Sequence, residues 1–451
     1  MTNIERHILL LGSGYVAAPT VEYLVRRPEN KITIASRSYE NAISLSKKFP
    51  GTSPAQLDID DEASVDNLVC RHDIVISLIP YIHHAKVIKS AIKYKKNVVT
   101  TSYVSPAMME LDEAAKEAGI TVMNEIGLDP GIDHLYAIKT IDEVHKEGGK
   151  ILSFLSYCGG LPAPESSNNP LGYKFSWSSR GVLLALRNQA RFLQDGEIVT
   201  VEGPELMKSA KPIHVYPAFN VVGYANRDSS HYPQRYNMPE CQTCLRGTLR
   251  YQVFPSFVQT LTDLGFLSEE PKDYLSPDSP DITWRQVLAN ILNTTNDEQS
   301  LSQAILEKSP IESESEIERI FHGFKWLGLF SDTIVTKRAS NLLDTLCATL
   351  EQKMAYGESE RDMVLLQHKF KVELADGTIQ TRTSTLLEYG TPNGHSAMAL
   401  TVGYPCGIAT QLVLDGVINQ KGVLAPMSAE INQPLIEAIE KEGIGCIEET
   451  L

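Results

Sequence analysis

The first 126 residues alternate between short apolar runs and longer amphipathic stretches. The runs are 7–12 (HILLLG), 31–36 (KITIAS), 53–58 (SPAQLD), 73–79 (DIVISLI), 97–102 (NVVTTS) and 121–126 (TVMNEI). Most are β-branched and continuously apolar, the pattern of strands covered on both faces. Segments of helical length, such as 16–27 and 105–118, separate them. Strands alternating with crossover helices predict an α/β fold with a doubly wound parallel Rossmann sheet.

The rhythm then changes. From about 150 to 265, strand-like runs at 151–157, 197–201 and 213–219 are separated by loops rich in Gly, Pro and Asn, such as 159–173. A mixed α/β domain with long loops is expected there. Helical periodicity at 284–292, 315–330 and 339–354 predicts a small all-helical insertion. Residues 368–389 alternate around Asp376-Gly377, a strong hairpin signal, and are expected to rejoin the middle sheet. The last 55 residues read as helical and are expected to pack on the first domain. The implied division is a nucleotide-binding domain at 1–130 and 391–451, a substrate-binding and dimerisation domain at 131–265 and 361–390, and a helical domain at 266–360. The longest apolar stretch, 397–414, is interrupted by Gly403, Pro405 and Gly407, which speaks against a membrane span.

Composition adds less than pattern does. The 451 residues hold 41 Lys plus Arg and 56 Asp plus Glu, a net charge of −15, which argues against a protein built to neutralise nucleic-acid phosphates. The charge is uneven: residues 1–124 carry 14 basic and 14 acidic groups, whereas 268–320 carry twelve acidic and four basic. Acidity therefore marks a solvated helical region and does not oppose an anionic ligand on the first domain. Seven cysteines, sparse and odd in number, form no disulfide framework, and the lone CxxC of Cys241 and Cys244 reads as two ordinary thiols. The start MTNIERHILLLG lacks a secretory pattern and the end EETL is no targeting tripeptide or prenylation box, so the expectation is a cytoplasmic protein.

The candidate chemistry begins after the first strand. Gly12-Ser13-Gly14-Tyr15-Val16-Ala17 fits G-x-G-x-x-G/A and opens a helix, where unpaired N–H groups and the helix dipole favour a pyrophosphate. At the end of the second strand stands Ser36-Arg37-Ser38 instead of the acid that would take a ribose 2′-OH. A guanidinium between hydroxyls suits a 2′-phosphate, so NADP(H) is predicted over NAD(H); a solvated charge is the competing reading of Arg37. Later strand ends supply Asp58 toward the adenine, Ile79 and Pro80 along the dinucleotide, and Thr101 to Tyr103 near the nicotinamide. His83 and His84 open the next helix and read as surface or capping residues. No metal-ligand spacing, phosphate-binding GxxxxGK[ST] loop or GxSxG elbow is apparent.

A longer signature is more specific. The segments GSGYVAAP (12–19), SRS (36–38), TTSYVSP (100–106) and above all EIGLDPGIDH (125–134), with PLGYKFSWSSRG (170–181), NRDS (226–229) and LRGTLRY (245–251), resemble the saccharopine dehydrogenase family. The resemblance spans essentially the whole chain and points to the NADP-dependent, glutamate-forming type. It implies condensation of 2-aminoadipate 6-semialdehyde with L-glutamate, and NADPH reduction of the imine to saccharopine, reversibly, in lysine biosynthesis by the aminoadipate route. It also implies a homodimer through the middle domain.

Carried onto this chain, the resemblance assigns the dinucleotide to Gly12, Ser13, Gly14, Tyr15, Ser36, Arg37, Ser38, Asp58, Ile79, Thr101, Leu128, Asp129, Pro130 and Trp177. It assigns the substrate to Ser102, Tyr103, Asp129, Arg227, Thr248, Leu249 and Arg250. Saccharopine bears three carboxylates, so Arg227 and Arg250 are apt bidentate partners; a surface charge is the alternative for each. Asp129, Tyr103 and Cys158 are the candidates for proton transfer near the bound nitrogen, with a buried structural thiol the competing reading of Cys158. Two further functions stay open at this point: an NADP-dependent reductase of another amino-acid or polyamine imine, and a non-catalytic NADP-binding regulator.

Overall fold

The computed structural model describes residues 5–311 and 313–451. They form two compact units: Met1–Ile151 with Gln234–Met238 and His368–Leu451, and Leu152–Pro233 with Pro239–Gln367. In chain order the strands are β1 (Arg6–Leu11), β2 (Asn30–Ser36), β3 (Thr52–Gln56), β4 (Ile74–Ser77), β5 (Asn97–Thr100), β6 (Thr121–Met123), β7 (Lys150–Pro162) and β8 (Ala190–Gln194). They continue with β9 (Glu197–Val201), β10 (Lys211–Ile213), β11 (Val221–Ala225), β12 (Thr243–Tyr251), β13 (Asp362–Glu373), β14 (Ile379–Tyr389), β15 (Gly422–Leu424) and β16 (Ile447–Thr450).

In the first unit a parallel sheet runs β15-β6-β5-β4-β1-β2-β3, the doubly wound order with its switch point between β1 and β4. Ile8, Leu9, Leu10 and Leu11 are all fully buried, as their unbroken apolar run requires of a strand covered on both faces. The seventh strand, β15, pairs with β6 (Gly422↔Thr121 to Leu424↔Met123), and β16 pairs antiparallel with β14. The closing 55 residues are thus helical only in part. The segment 105–118 also divides, into Pro106–Met109, capped by the Ser105 hydroxyl, and Asp112–Ala118.

Residues 397–414 form one unbroken helix, Ala397–Leu414, with Gly403, Pro405 and Gly407 inside it. By length and composition it could cross a membrane, yet 72% of it is buried. It lies against the helix Ala17–Val25, where Thr20 Oγ1 donates to the Gly403 carbonyl at 3.0 Å, and Asn30 Nδ2 donates to Gln411 Oε1 at 2.9 Å. Burial on this scale is how a core helix with apolar residues on every face satisfies its apolar surface.

In the second unit β10, β11, β12 and β7 lie side by side, and a β8–β9 ribbon pairs onto β12. The hairpin expected at 368–389 forms as β13 and β14, of which β14 and the end of β13 from His368 lie in the first unit. The run 213–219 is no single strand: β10 ends at Ile213, a turn bonds Phe219 N to the Tyr216 carbonyl, and β11 starts at Val221. Helices Trp284–Leu292, Glu298–Lys308, Glu314–Leu327 and Leu342–Lys353 form the helical region, the first held by a Thr283–Gln286 capping box. Their apolar faces share one cluster with Tyr173, Tyr224, Phe254 and Phe257 from around the sheet.

Candidate active site

At the end of β1, Gly12 has φ +109°, and a Cβ there would lie 2.8 Å from the Leu78 carbonyl oxygen, so only glycine makes this turn. A Cβ on Gly14 would meet nothing within 4 Å, which leaves open space over the loop. No side chain caps the helix Ala17–Val25 that follows; Ala17 N donates to the Gly14 carbonyl at 3.2 Å, and the helix start is left open to an anion on its side-chain side. Ser13 Oγ lies 3.1 Å from Ser36 Oγ, bridging the ends of β1 and β2. Arg37 is exposed and makes no ion pair among the described residues, whereas the Ser38 hydroxyl caps the helix Tyr39–Ser46 at Asn41 N. One of the two hydroxyls flanking Arg37 is therefore committed to the fold. Asp58 is exposed at the end of β3, Tyr15 is exposed, and Ile79 and Thr101 are half-buried. These residues fit an NADP dinucleotide: glycines at 12 and 14, a helix start that no side chain caps and an unpaired guanidinium where the 2′-phosphate would lie.

Beyond β6 the segment 127–133 makes a tight turn with a cis Asp129–Pro130 peptide. Gly127 N donates to the Pro130 carbonyl at 3.0 Å, and a Cβ on Gly131 (φ +148°) would fall 2.0 Å from the Gly127 oxygen, so residue 131 must be glycine. The turn presents Asp129, whose Oδ1 accepts from the Tyr103 hydroxyl at 2.7 Å. The two residues chosen from sequence for proton transfer in this unit are in direct contact.

Behind them lies a cluster that sequence reasoning missed. Glu125 is 1% exposed; its Oε2 accepts from Arg235 at 2.7 Å and from His134 Nε2 at 2.8 Å, and its Oε1 accepts from Val104 N at 2.9 Å. His134 Nδ1 is 2.5 Å from the Tyr236 hydroxyl. Burial would raise the Glu125 pKa, but His134 and the Arg235 guanidinium outweigh it and hold the carboxyl at about 2. His84 is likewise no surface residue: it is 1% exposed, and its ring lies between Ser77 and Ser102.

In the second unit the register of β12 with β7 sets Thr248 beside Cys158, and its register with β11 sets Thr248 beside Tyr224 and Arg250 beside Val222. Arg250 is 6% exposed, which rules out the surface-charge reading. Its guanidinium lies 4.9 Å from the ring centre of Tyr173 and 5.4 Å from that of Phe254, and one nitrogen donates to the Leu249 carbonyl at 2.7 Å. No carboxylate pairs with it among the described residues, and its Nε has no hydrogen-bond partner. Cys158 is buried too. Strand alternation turns the Leu249 side chain away from Thr248 and Arg250, and it is fully buried. Arg227 is exposed, with φ +57°, and Trp177 is 37% exposed. Burial raises the thiol pKa of Cys241 to about 11 and raises that of Cys244, consistent with unreactive thiols.

Residues 8–123 match the saccharopine dehydrogenase NADP binding domain, and residues 127–444 the saccharopine dehydrogenase C-terminal domain. The chain is 57% identical over 445 residues (98% of it, 99% of the relative) to the NADP(+), L-glutamate-forming saccharopine dehydrogenase of Schizosaccharomyces pombe. It is 53% identical over 448 residues, 99% of both chains, to the protein of that name from Saccharomyces cerevisiae. The solved structure of apo, L-Glu-forming saccharopine dehydrogenase from Saccharomyces cerevisiae aligns with a TM-score of 0.92 over 99% of this chain and 100% of that one, at 53% identity. The chain belongs to the saccharopine dehydrogenase family.

Proposed function

We propose that this chain is an NADP-dependent, L-glutamate-forming saccharopine dehydrogenase, which reversibly joins 2-aminoadipate 6-semialdehyde and L-glutamate and reduces the imine to saccharopine. The observation that carries the reading is Arg250, a buried guanidinium among aromatic rings that lacks a carboxylate partner among the described residues. Such a cation suits a polycarboxylate and repels a polyamine. When bound, NADPH supplies the hydride that reduces the imine carbon.

The chain's own residues do the rest. Gly12 to Tyr15 and the open helix start hold the pyrophosphate, and Arg37 with Ser36 reads the 2′-phosphate. Leu128 to Pro130, Ile79 and Thr101 line the nicotinamide half, and Trp177 completes the cofactor residues. Asp129, which accepts from the Tyr103 hydroxyl, is the carboxylate that accepts from the substrate nitrogen. Tyr103 and Cys158 are the further proton-carrying candidates, and Ser102, Thr248, Leu249, Arg227 and Arg250 bind substrate. The same reading places the protein in lysine biosynthesis, in the cytoplasm, as a homodimer; the family membership supports it.

Saccharopine added with NADP+ is expected to generate NADPH absorbance, with a far smaller signal with NAD+; silence with both cofactors would overturn the reading. Arg37→Ala is expected to weaken NADPH about 10- to 100-fold, the worth of charge-assisted bonds to a phosphate, and NADH by less than about threefold. Equal losses for the two cofactors would remove the 2′-phosphate assignment.

A further inference from the structure

His84 is the first residue of the helix His84–Tyr94 and joins the ends of two neighbouring strands through hydroxyl groups. Its Nδ1 lies 2.9 Å from Ser77 Oγ at the end of β4. Its Nε2 lies 2.9 Å from Ser102 Oγ, just past β5, and 3.3 Å from Thr100 Oγ1, the last residue of β5. Thr100 Oγ1 also accepts from the backbone N–H of Ser102 at 3.0 Å. Burial, with His83 nearby, lowers the ring's pKa to about 4, so the imidazole is neutral at physiological pH.

A neutral imidazole has one N–H and one lone pair. Two oxygens face Nε2. A lone pair there would receive one hydroxyl proton and leave the other oxygen opposed to it, whereas an N–H is shared by both. Nδ1 then accepts the proton of Ser77, a hydroxyl only 1% exposed. With its oxygen accepting from the ring, Ser102 has its own proton free to donate outward, and Ser102 is half-buried, open on one side.

We propose that His84 is a positioning residue: its Nε2–H holds the Ser102 hydroxyl as a donor toward a carboxylate of the amino-acid substrate. The inference rests on the reading of Ser102 as a substrate-binding residue. It gives His84 a part in specificity, because a hydroxyl locked as donor favours an anion over an ammonium group.

The test uses the full-length enzyme, with saccharopine oxidation followed by NADPH absorbance. His84→Leu is expected to raise the KM for saccharopine about tenfold or more, the worth of one hydrogen bond to a charged group, and that for NADP+ by less than about twofold. His84→Gln, whose amide N–H reaches a similar point, is expected to restore the saccharopine KM to within about threefold. In a Ser102→Ala background, His84→Leu is expected to change little, within about twofold, because its effect passes through that hydroxyl. Additive losses in the double variant, equal rises in both KM values, or a Gln variant as impaired as Leu would overturn the proposal. NMR of isotope-labelled histidine reads the tautomer without turnover: a protonated Nε2 on the His84 ring, assigned by its loss in His84→Gln, is expected, and a protonated Nδ1 overturns the proposal even if the variants are poorly folded. Wild-type protein inert toward saccharopine would instead overturn the functional reading and the substrate half of this one, leaving the tautomer to decide the arrangement of Ser102.

Discussion

Glu125→Gln is expected to destabilise the first unit by about 3–5 kcal/mol, the usual cost of removing one partner from a buried ion cluster. The substitution is nearly isosteric, so the loss is electrostatic and not a cavity. Oε2 accepts from both Arg235 and His134, and an amide NH2 in its place would set donor against donor. The pH dependence follows from the depressed pKa. A carboxyl held at about 2 in the fold, against an ordinary value near 4.5, contributes stability that is complete above about pH 4.5 and lost as pH falls through 2. That difference corresponds to roughly 3 kcal/mol, in line with the substitution. The gap in denaturant midpoint between wild type and Glu125→Gln should therefore be full at pH 6 and narrower at pH 3. An unchanged gap at both values would mean that the charge contributes nothing to it.

What was legible in the sequence follows the range of the interactions involved. β1 announces itself because Ile8 to Leu11 are apolar without interruption, and the glycine loop because the turn at Gly12 admits only glycine. The strand β15 was missed since three residues, Gly422 to Leu424, carry no period, and their pairing with β6 is set some 300 residues away. Helix Ala397–Leu414 falls in the closing residues that read as helical, but its unbroken course through Gly403, Pro405 and Gly407 was not legible, because Pro and Gly weaken an isolated helix while burial against the helix Ala17–Val25 overrides propensity. Glu125 and His134 both stand in the diagnostic segment 125–134, yet nothing local says that Arg235 and Tyr236 complete their cluster. His84 follows the exposed Tyr81 and Ile82, so its burial depends on hydroxyls from two strand ends and not on its neighbours in sequence. Arg227 and Arg250 had equal standing as cations; the strand alternation of β12 and the rings of Tyr173 and Phe254 separate them.

That separation makes Arg250→Met the substitution with the largest expected effect on activity. Losing the buried guanidinium should lower kcat/KM for saccharopine about 10²- to 10³-fold, since a desolvated charge pair broken on one side costs about 3–5 kcal/mol. The KM for NADP+ should hardly move, because Arg250 is read as a substrate residue and the glycine loop and Arg37 as the cofactor residues. Stability should respond in the opposite sense from Glu125→Gln. In the absence of substrate Arg250 has no carboxylate among the described residues, so the fold bears its desolvation with the faces of Tyr173 and Phe254 and one carbonyl in return. An apolar side chain of similar length removes that cost, and the melting temperature should stay level or rise. Saccharopine should raise the melting temperature of the wild type, by ligand linkage, and not that of the variant. A variant that loses activity and melting temperature together would identify Arg250 as a structural cation. A group kept at the expense of stability and needed only when substrate is present is what a binding residue looks like, and the two measurements together distinguish it from a residue that holds the sheet.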